Sequence, residues 1–380
     1  MKTIKSHILA LAVLISCTSG GYIAKAQEII MPERWDAALY RIRPLFVQDT
    51  VTLCILGDIM MHQAQIDNAR RPDGGYDFSS YFHLLEDRIR EADIAVANME
   101  FTLAGEPYTG YPCFSAPDTL AEYLAGCGFD IFLAANNHIF DKGSKGAERT
   151  LEIYRRLQQD KGLRFTGIAG NEDEQKDNSP LILRTRGISI AFINITYGTN
   201  VGLSSHWPKT NRISEKEKIA EAFDSARRHG CEYIIALPHW GTEYRLRHSK
   251  EQEEYATWLA EHGADCIIGA HPHVIQDTAM IGDVPVTYSL GNAVSNMSAQ
   301  DTQLELMATV RLVRKENGDL EPLPIELEYL WCSRPGGYNG QYTVVPVAGF
   351  IGKRDRWQNS YDYDKMISTY ERVRKETGIE

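Results

Sequence analysis

From about residue 50 onward one rhythm repeats along the chain: an apolar run of strand length, a loop rich in Asp, Asn, His and Gly, then a stretch of helical periodicity. Five such runs predict strands over residues 51–56, 94–97, 131–135, 233–237 and 266–268. Helices are expected over 81–92, 119–127, 215–229 and 250–262, feeding the later strands, and Gly128, Gly230 and Gly263 stand where helix C-termini favour glycine. A further helix is predicted over 146–160, a hairpin over 181–184 and 188–194 around Arg186-Gly187, and a terminal helix over 364–376. This alternation is that of an α/β domain. Residues 286–290, 304–313 and 325–330 read as strands of a second sheet packed on the first, with the turn Glu316-Asn317-Gly318-Asp319 joining the last two. Residues 333–342 and 353–364 read as loops.

The five strands end on polar clusters: Gly57-Asp58, Asn98-Met99-Glu100, Asn136-Asn137-His138, Pro238-His239-Trp240-Gly241 and Gly269-Ala270-His271-Pro272-His273. Ligands of open α/β sheets bind beyond the carboxyl ends of the strands, so these clusters are expected to converge in space. Asp58, His62, Glu100, Asn137, His138, His239, His271 and His273 offer imidazole, carboxylate and amide oxygen, a set suited to Zn, Mn or Fe rather than to Ca or a thiolate zinc site. Spread over separate strand ends, it suits two ions about 3.5–4 Å apart, bridged by a carboxylate. Each residue alone has an ordinary alternative: a solvated loop histidine, a cap for Asp58, turn formers for Asn136-Asn137. Five clusters directly after five apolar runs do not reduce to turns.

Gly57-Asp58-Ile59-Met60-Met61-His62, Asn98-Met99-Glu100, Asn136-Asn137-His138-Ile139-Phe140-Asp141, His239-Trp240-Gly241-Thr242-Glu243-Tyr244, His271-Pro272-His273 and Ser289-Leu290-Gly291-Asn292 together resemble the CapA-type capsule-synthesis proteins. Those are the poly-γ-glutamate biosynthesis branch of the calcineurin-like metallophosphoesterase superfamily, and the resemblance runs over roughly residues 51–295. It implies a four-layer α-β-β-α sandwich holding two divalent transition metals. It further implies Asp58 on one ion, with His62 beyond the usual one-residue gap; Glu100 in the place of a bridging Asp; Asn137 and His239 as ligands; and His271 and His273 serving one ion each. His138 would face the leaving group or the transferring phosphoryl. Glu100 is one methylene longer than the usual bridge, and Pro272 stiffens its loop. Asp141 is expected to orient an imidazole, and Glu243 to contact substrate, act as a general acid or serve a structural role.

The composition fits this reading. The chain has 380 residues, 43% hydrophobic and 24% charged, enough for a large core. A net charge of -11 without a long basic run excludes a duplex nucleic-acid partner. Lys2 and Lys5 followed by the apolar run 8–15 predict an export signal over 1–26, too short to span a bilayer. Leu14-Ile15-Ser16-Cys17 reads as a lipobox, preferred over the small-x-small exit Ala24-Lys25-Ala26 because it abuts the apolar run. An extracytoplasmic, lipid-anchored envelope protein is therefore expected, with its main domain over 50–300 and residues 301–380 packed on it. Six cysteines follow Cys17 without a CxxC pair, and no bridge is predicted.

The expected function is that of a dinuclear metal-dependent hydrolase or transferase acting on an anionic envelope polymer such as poly-γ-glutamate, with a membrane synthase as partner. Arg245, Arg247 and Lys250 could face such a chain, and Tyr111, Tyr197, Trp207, Trp240 and Tyr244 could wall its groove or pack in the core. The alternatives are a non-catalytic accessory protein of a synthase complex and a generic periplasmic phosphoesterase.

Overall fold

In the computed structural model, which describes residues 49–202 and 206–380, the apolar runs assemble into two facing sheets. The predicted export signal and lipobox lie outside the described residues. Along its main path, the larger sheet runs Thr343–Pro346, Glu326–Ser333, Leu304–Arg314, Asp49–Ile59, Ile94–Met99, Ile131–Leu133 and Arg164–Thr166. The smaller runs Thr278–Ile281, Val284–Thr287, Cys266–Ile268, Tyr233–His239, Ile188–Thr196 and Leu181–Thr185. The larger is antiparallel from Thr343–Pro346 to Asp49–Ile59 and parallel from there to Arg164–Thr166, whereas the smaller is parallel at its centre and antiparallel at both edges.

Alternation along the strands sorts the side chains into layers. Leu53 and Ile55 face the second sheet, meeting Ile190, Phe192, Ile235 and Leu237. Cys54 and Leu56 point the other way, into a cluster with Leu120, Leu124, Leu151 and Tyr154 of the helices Asp118–Cys127 and Gly143–Lys161. Ile193 and Ala236 pack outward against Ile219, Phe223 and Leu259 of the helices Lys216–Arg228 and Lys250–Glu261. The result is the expected four-layer α-β-β-α sandwich.

Several expectations need correction. The strands at 304–313 and 325–330 do not build the second sheet. They extend the first, with Leu304–Arg314 antiparallel to Asp49–Ile59 from Asp49↔Arg314 to Ile55↔Ala308. Only Val284–Thr287 joins the second sheet, beside Cys266–Ile268. Periodicity identifies a strand, but its neighbour is set by backbone pairing that periodicity does not encode. The helix expected over 81–92 is confined to Glu86–Glu91. Tyr81, Phe82 and Leu85 are instead anchors of buried turns, and the Phe82 amide is taken by the Tyr123 hydroxyl (3.1 Å). The terminal helix starts earlier than expected, at Ser360, because the Asn359 side chain caps it by accepting from Tyr361 N (2.9 Å). At Arg186-Gly187 both residues have positive φ (45° and 80°), as the tight hairpin requires.

The sheets are tied together at the carboxyl ends of their strands. Asp58 N donates to Gly291 O (3.0 Å), Leu306 N to Leu290 O (2.8 Å) and Gly269 N to Thr287 O (2.8 Å), so the segment after Val284–Thr287 bridges both. Asn194 spans the gap as well: its Oδ1 accepts from Ala135 N (2.7 Å) and its Nδ2 donates to Leu237 O (2.8 Å). All six described cysteines are free thiols. No helix among the described residues is long and apolar enough to cross a membrane.

A Cβ on Gly57 would overlap the Gly291 carbonyl oxygen, backbone against backbone. Gly57→Ala is therefore expected to cost about 1–3 kcal/mol in equilibrium urea unfolding. Gly340→Ala, with nothing within 4 Å of the added carbon, should stay within about 0.5 kcal/mol.

Candidate metal centre

The bridged strand ends deliver the polar clusters to one place. Asp58 is the penultimate residue of its strand, just after a register shift between Leu56 and Asp58, Glu100 follows Ile94–Met99, and His239 ends Tyr233–His239. Asp58, Glu100, Asn137, His138, His239, His271 and His273 are all buried. His239 Nε2 lies 2.8 Å from Asn137 Oδ1 and 3.5 Å from Glu100 Oε1. His273 Nδ1 lies 3.6 Å from Asp58 Oδ2 and 3.8 Å from Glu100 Oε2. Two donor groups emerge that share one carboxylate: Asp58, Glu100 and His239, and Glu100, His271 and His273. His271 and His273 flank Pro272 with φ of 101° and 59°, a region non-glycine residues rarely enter and one that concentrates at functional sites.

Charge balance tests whether this set fits a cation. Neither oxygen of Glu100 has a hydrogen-bond partner, and burial pushes its carboxyl up to about 8 despite the pull of His138. Burial, then the Glu100 charge, lifts Asp58 to about 6. Burial also drives His239 down to about 3, His271 well below the ordinary imidazole range, and His273 down in the same direction. His271 Nδ1 is a further buried atom without a partner. Neutral imidazoles, one with an unpartnered ring nitrogen, beside a buried carboxylate with no hydrogen-bond partner form a donor set that a divalent transition ion would satisfy.

His138 differs from the other histidines. Burial pulls it down, but the Asp141 carboxylate at 2.7 Å from Nδ1, with the charges of Glu100 and Glu243, outweighs this and raises it. Its Nε2 then faces Glu100 Oε1 at 4.0 Å. Asp141 is itself held by Phe114 N (2.8 Å), and the Phe114 ring sits edge-on to His138. His62 belongs to neither donor group. It stands at the start of the helix Gln63–Ala69, its Nδ1 3.2 Å from Gln65 Oε1 and 3.3 Å from Asn296 N, and burial lowers it to about 4. His62, His138 and His273 open onto a cleft of about 350 Å³ that half-buried Glu243 also lines.

The structure adds residues that sequence reasoning missed. Asn98 Nδ2 donates to Asp58 Oδ1 (2.6 Å) and lies 3.2 Å from His239 Nδ1, fixing both. Asn292 Oδ1 lies 3.0 Å from His273 Nδ1. Asn200 Nδ2 sits 3.3 Å from His138 Nδ1, on a loop that follows Ile188–Thr196. Each was findable in principle, since each follows or ends an apolar run as the chosen residues do. Of the aromatic residues, Trp240 is core, its indole N–H donating to Tyr288 O (2.9 Å).

A family model for the bacterial capsule synthesis protein PGA_cap matches residues 52–297. The capsule biosynthesis protein CapA of Bacillus anthracis is 25% identical over 295 residues, covering 73% of this chain and 68% of that relative. The PGA biosynthesis protein CapA of Bacillus subtilis (strain 168) is 23% identical over 292 residues, covering 74% and 73%. Among solved structures, Haemophilus influenzae NAD nucleotidase aligns with a TM-score of 0.45 at 14% identity, over 86% of this chain and 68% of that one. The span matched by the family model runs through all five strand-end clusters, and the chain belongs to the bacterial capsule synthesis protein PGA_cap family.

Proposed function

We propose that this protein is a metal-dependent hydrolase or transferase acting on a cell-envelope polymer during capsule synthesis. The observation that carries the reading is Glu100: a fully buried carboxylate with no partner on either oxygen, shared by two groups of cation donors. Divalent ions such as Mn, Zn or Fe, held by Asp58, Glu100, Asn137, His239, His271 and His273, would supply Lewis acidity and a nucleophile at neutral pH. The chain's own residues do the rest. Asn98 and Asn292 orient ligand side chains. Asp141 holds the proton on His138 Nδ1, so that a protonated Nε2 donates to the departing oxygen. We assign Glu243 to substrate contact at the cleft wall.

The family resemblance suggests poly-γ-glutamate as the polymer, a membrane synthase as partner and an extracytoplasmic, lipid-anchored position. A non-catalytic accessory role has one observation in its favour: His62 lies outside both donor groups, leaving one expected ligand uncommitted.

Elemental analysis of the purified protein tests the centre directly. About two transition-metal equivalents are expected, lost in an Asp58→Asn/His239→Ala double variant that remains folded. A well-folded wild type that takes up no metal on reconstitution would favour the accessory role. With phosphoester and γ-glutamyl substrates, His138→Ala should lower kcat by about 10²–10⁴-fold, with metal content retained.

The carboxylates also set a pH dependence for chelator-treated protein. Glu100 titrates higher in the folded state, so its contribution is complete below its unfolded value of 4.5 and is lost as pH rises toward about 8. The depressed His239 acts oppositely: its contribution is complete above 6.5 and is lost as pH falls toward about 3. Stability of the metal-free protein should therefore decline as pH rises from about 6.5 to 8. Glu100→Gln should flatten that decline and stabilise the metal-free form at pH 8 by about 1–3 kcal/mol, while metal affinity falls. Thermal denaturation across pH, read beside metal content, checks both.

A further inference from the structure

Of the histidines expected on the metals, His62 alone stands outside both donor groups, and its surroundings give it another use. Its Nδ1 lies 3.3 Å from Asn296 N and 3.2 Å from Gln65 Oε1. The Asn296 N–H is a fixed donor with no other acceptor among the described residues, whereas Gln65 Oε1 already accepts from His62 N (2.9 Å). The hydrogen-bond network therefore assigns the Nδ1 lone pair to Asn296 and the ring proton to Nε2. Nε2 has no hydrogen-bond partner among the described residues, and the residue lines the cleft. The ring is fixed in this pose. Phe114 packs edge-on to it at 5.3 Å and also packs on His138 at 4.7 Å, so one aromatic ring touches both histidines. The Tyr342 hydroxyl donates to Asn296 Oδ1 (2.8 Å) and Arg334 donates to the Met297 carbonyl, so the C-terminal segment holds the loop that holds His62.

Charge gives this wall its sign. Half-buried Arg334 forms no ion pair among the described residues, and its Nε is buried without a partner. His138, whose proton affinity Asp141 raises, opens onto the same cleft. Both cations oppose a charge on His62, which burial already keeps neutral. The wall around His62 is thus positive while the ring itself is an uncharged N–H donor, a setting suited to an anionic oxygen. Glu243, the acid of the cleft, is felt by His138, His239 and His273. Two of the cations that the sequence offered to a polyanion are engaged elsewhere, Arg247 with Asp277 (3.0 Å) and Lys250 with Glu254 (3.2 Å).

We propose that His62 is a substrate-binding residue whose Nε2–H donates to a carboxylate oxygen of the polymer residue seated next to the metal centre. This rests on the hydrolase or transferase reading with poly-γ-glutamate as the polymer, and deepens it by naming the group that receives the polymer's charge. A γ-linked glutamate chain carries one carboxylate per residue, so holding one of them sets which linkage reaches the centre.

The test is calorimetric binding to the full chain loaded with Mn²⁺, read beside metal content. The probes are a γ-linked glutamate tetramer, the same tetramer with its free carboxylates amidated, and adenosine monophosphate. His62→Asn is the informative variant: asparagine is a favoured residue at a helix start and keeps an acceptor where Nδ1 stands, but it does not reach the cleft. His62→Gln restores that reach. Wild type should bind the acidic tetramer more tightly than the amidated one. His62→Asn should weaken binding of the acidic tetramer about 10-fold, leave the amidated one within about twofold and retain all metal, while His62→Gln should stay within about threefold of wild type. Loss of a metal equivalent in His62→Asn would make His62 a ligand and overturn the proposal. So would unchanged binding of the acidic tetramer, no preference of wild type for it over the amidated form, a His62→Gln variant as weak as His62→Asn, or His62-dependent binding of the nucleotide in its place. Binding that depends on His62 without turnover of the tetramer would sink the hydrolase or transferase reading and leave this assignment standing. Turnover with a KM unchanged in His62→Asn would do the reverse.

Discussion

Everything at this centre depends on backbone meeting backbone where the two sheets end. Asp58 belongs to one sheet and His271 to the loop after a strand of the other, yet His271 N donates to Asp58 Oδ2 at 3.0 Å. That approach needs positions without side chains. Gly57 lies against Gly291, and Gly269 against the Tyr288 carbonyl, so that a methyl group at either would collide with main chain. The inter-sheet core supplies the apolar burial that brings the layers together, but it is non-directional and would tolerate small slides. Hydrogen bonds from Asp58, Leu306 and Gly269 to residues 287–291, with the Asn194 bridge, fix where one sheet stops against the other.

This fixed meeting point allows the protein to bury charge. Taking a carboxylate out of water costs several kcal/mol unless something compensates, and Glu100 has no hydrogen-bond donor on either oxygen. Neutral histidines cannot compensate it, because burial has removed their protons. A cation bound by the folded state alone would add its binding free energy to stability. The large α-β-β-α core tolerates the unfavourable cluster because the cluster is a small part of a molecule with two well-filled interfaces between sheet and helices and a third between the sheets.

Much of this was legible in the sequence, for a definite reason. The strand-to-loop boundary is where apolar alternation gives way to Asp, Asn, His and Gly, and one-dimensional reading detects that change well. Asp58, Glu100, Asn137, His239, His271 and His273 were found this way and converge. Sheet membership was not legible: Leu304–Arg314 looks like any alternating strand, and only its pairing with Asp49–Ile59 sets it in the first sheet. His62 shows the limit of motif spacing. It follows Asp58 in a matching stretch, but the chain turns into the helix Gln63–Ala69 at that point and carries its ring to the cleft wall. Asn98 was passed over beside Glu100, although as the strand's penultimate residue it reaches both Asp58 and His239.

The histidines show how one residue type divides into two roles within a few ångströms. His239, His271 and His138 are all buried, and desolvation acts on each in the same direction. The difference is a hydrogen-bonded carboxylate. His138 has Asp141 at 2.7 Å on Nδ1, whereas His239 has Asn98 and Asn137 amides at its two nitrogens and His271 Nδ1 has no partner. An amide neighbour does not offset the desolvation of an imidazole, which suits it to give a lone pair to a cation, while a hydrogen-bonded carboxylate raises its proton affinity and suits it to give a proton. Asp141 stands three residues after His138 in the same turn, so this division is written locally in the chain, and the donor and the acceptors need only the strand ends to bring them together.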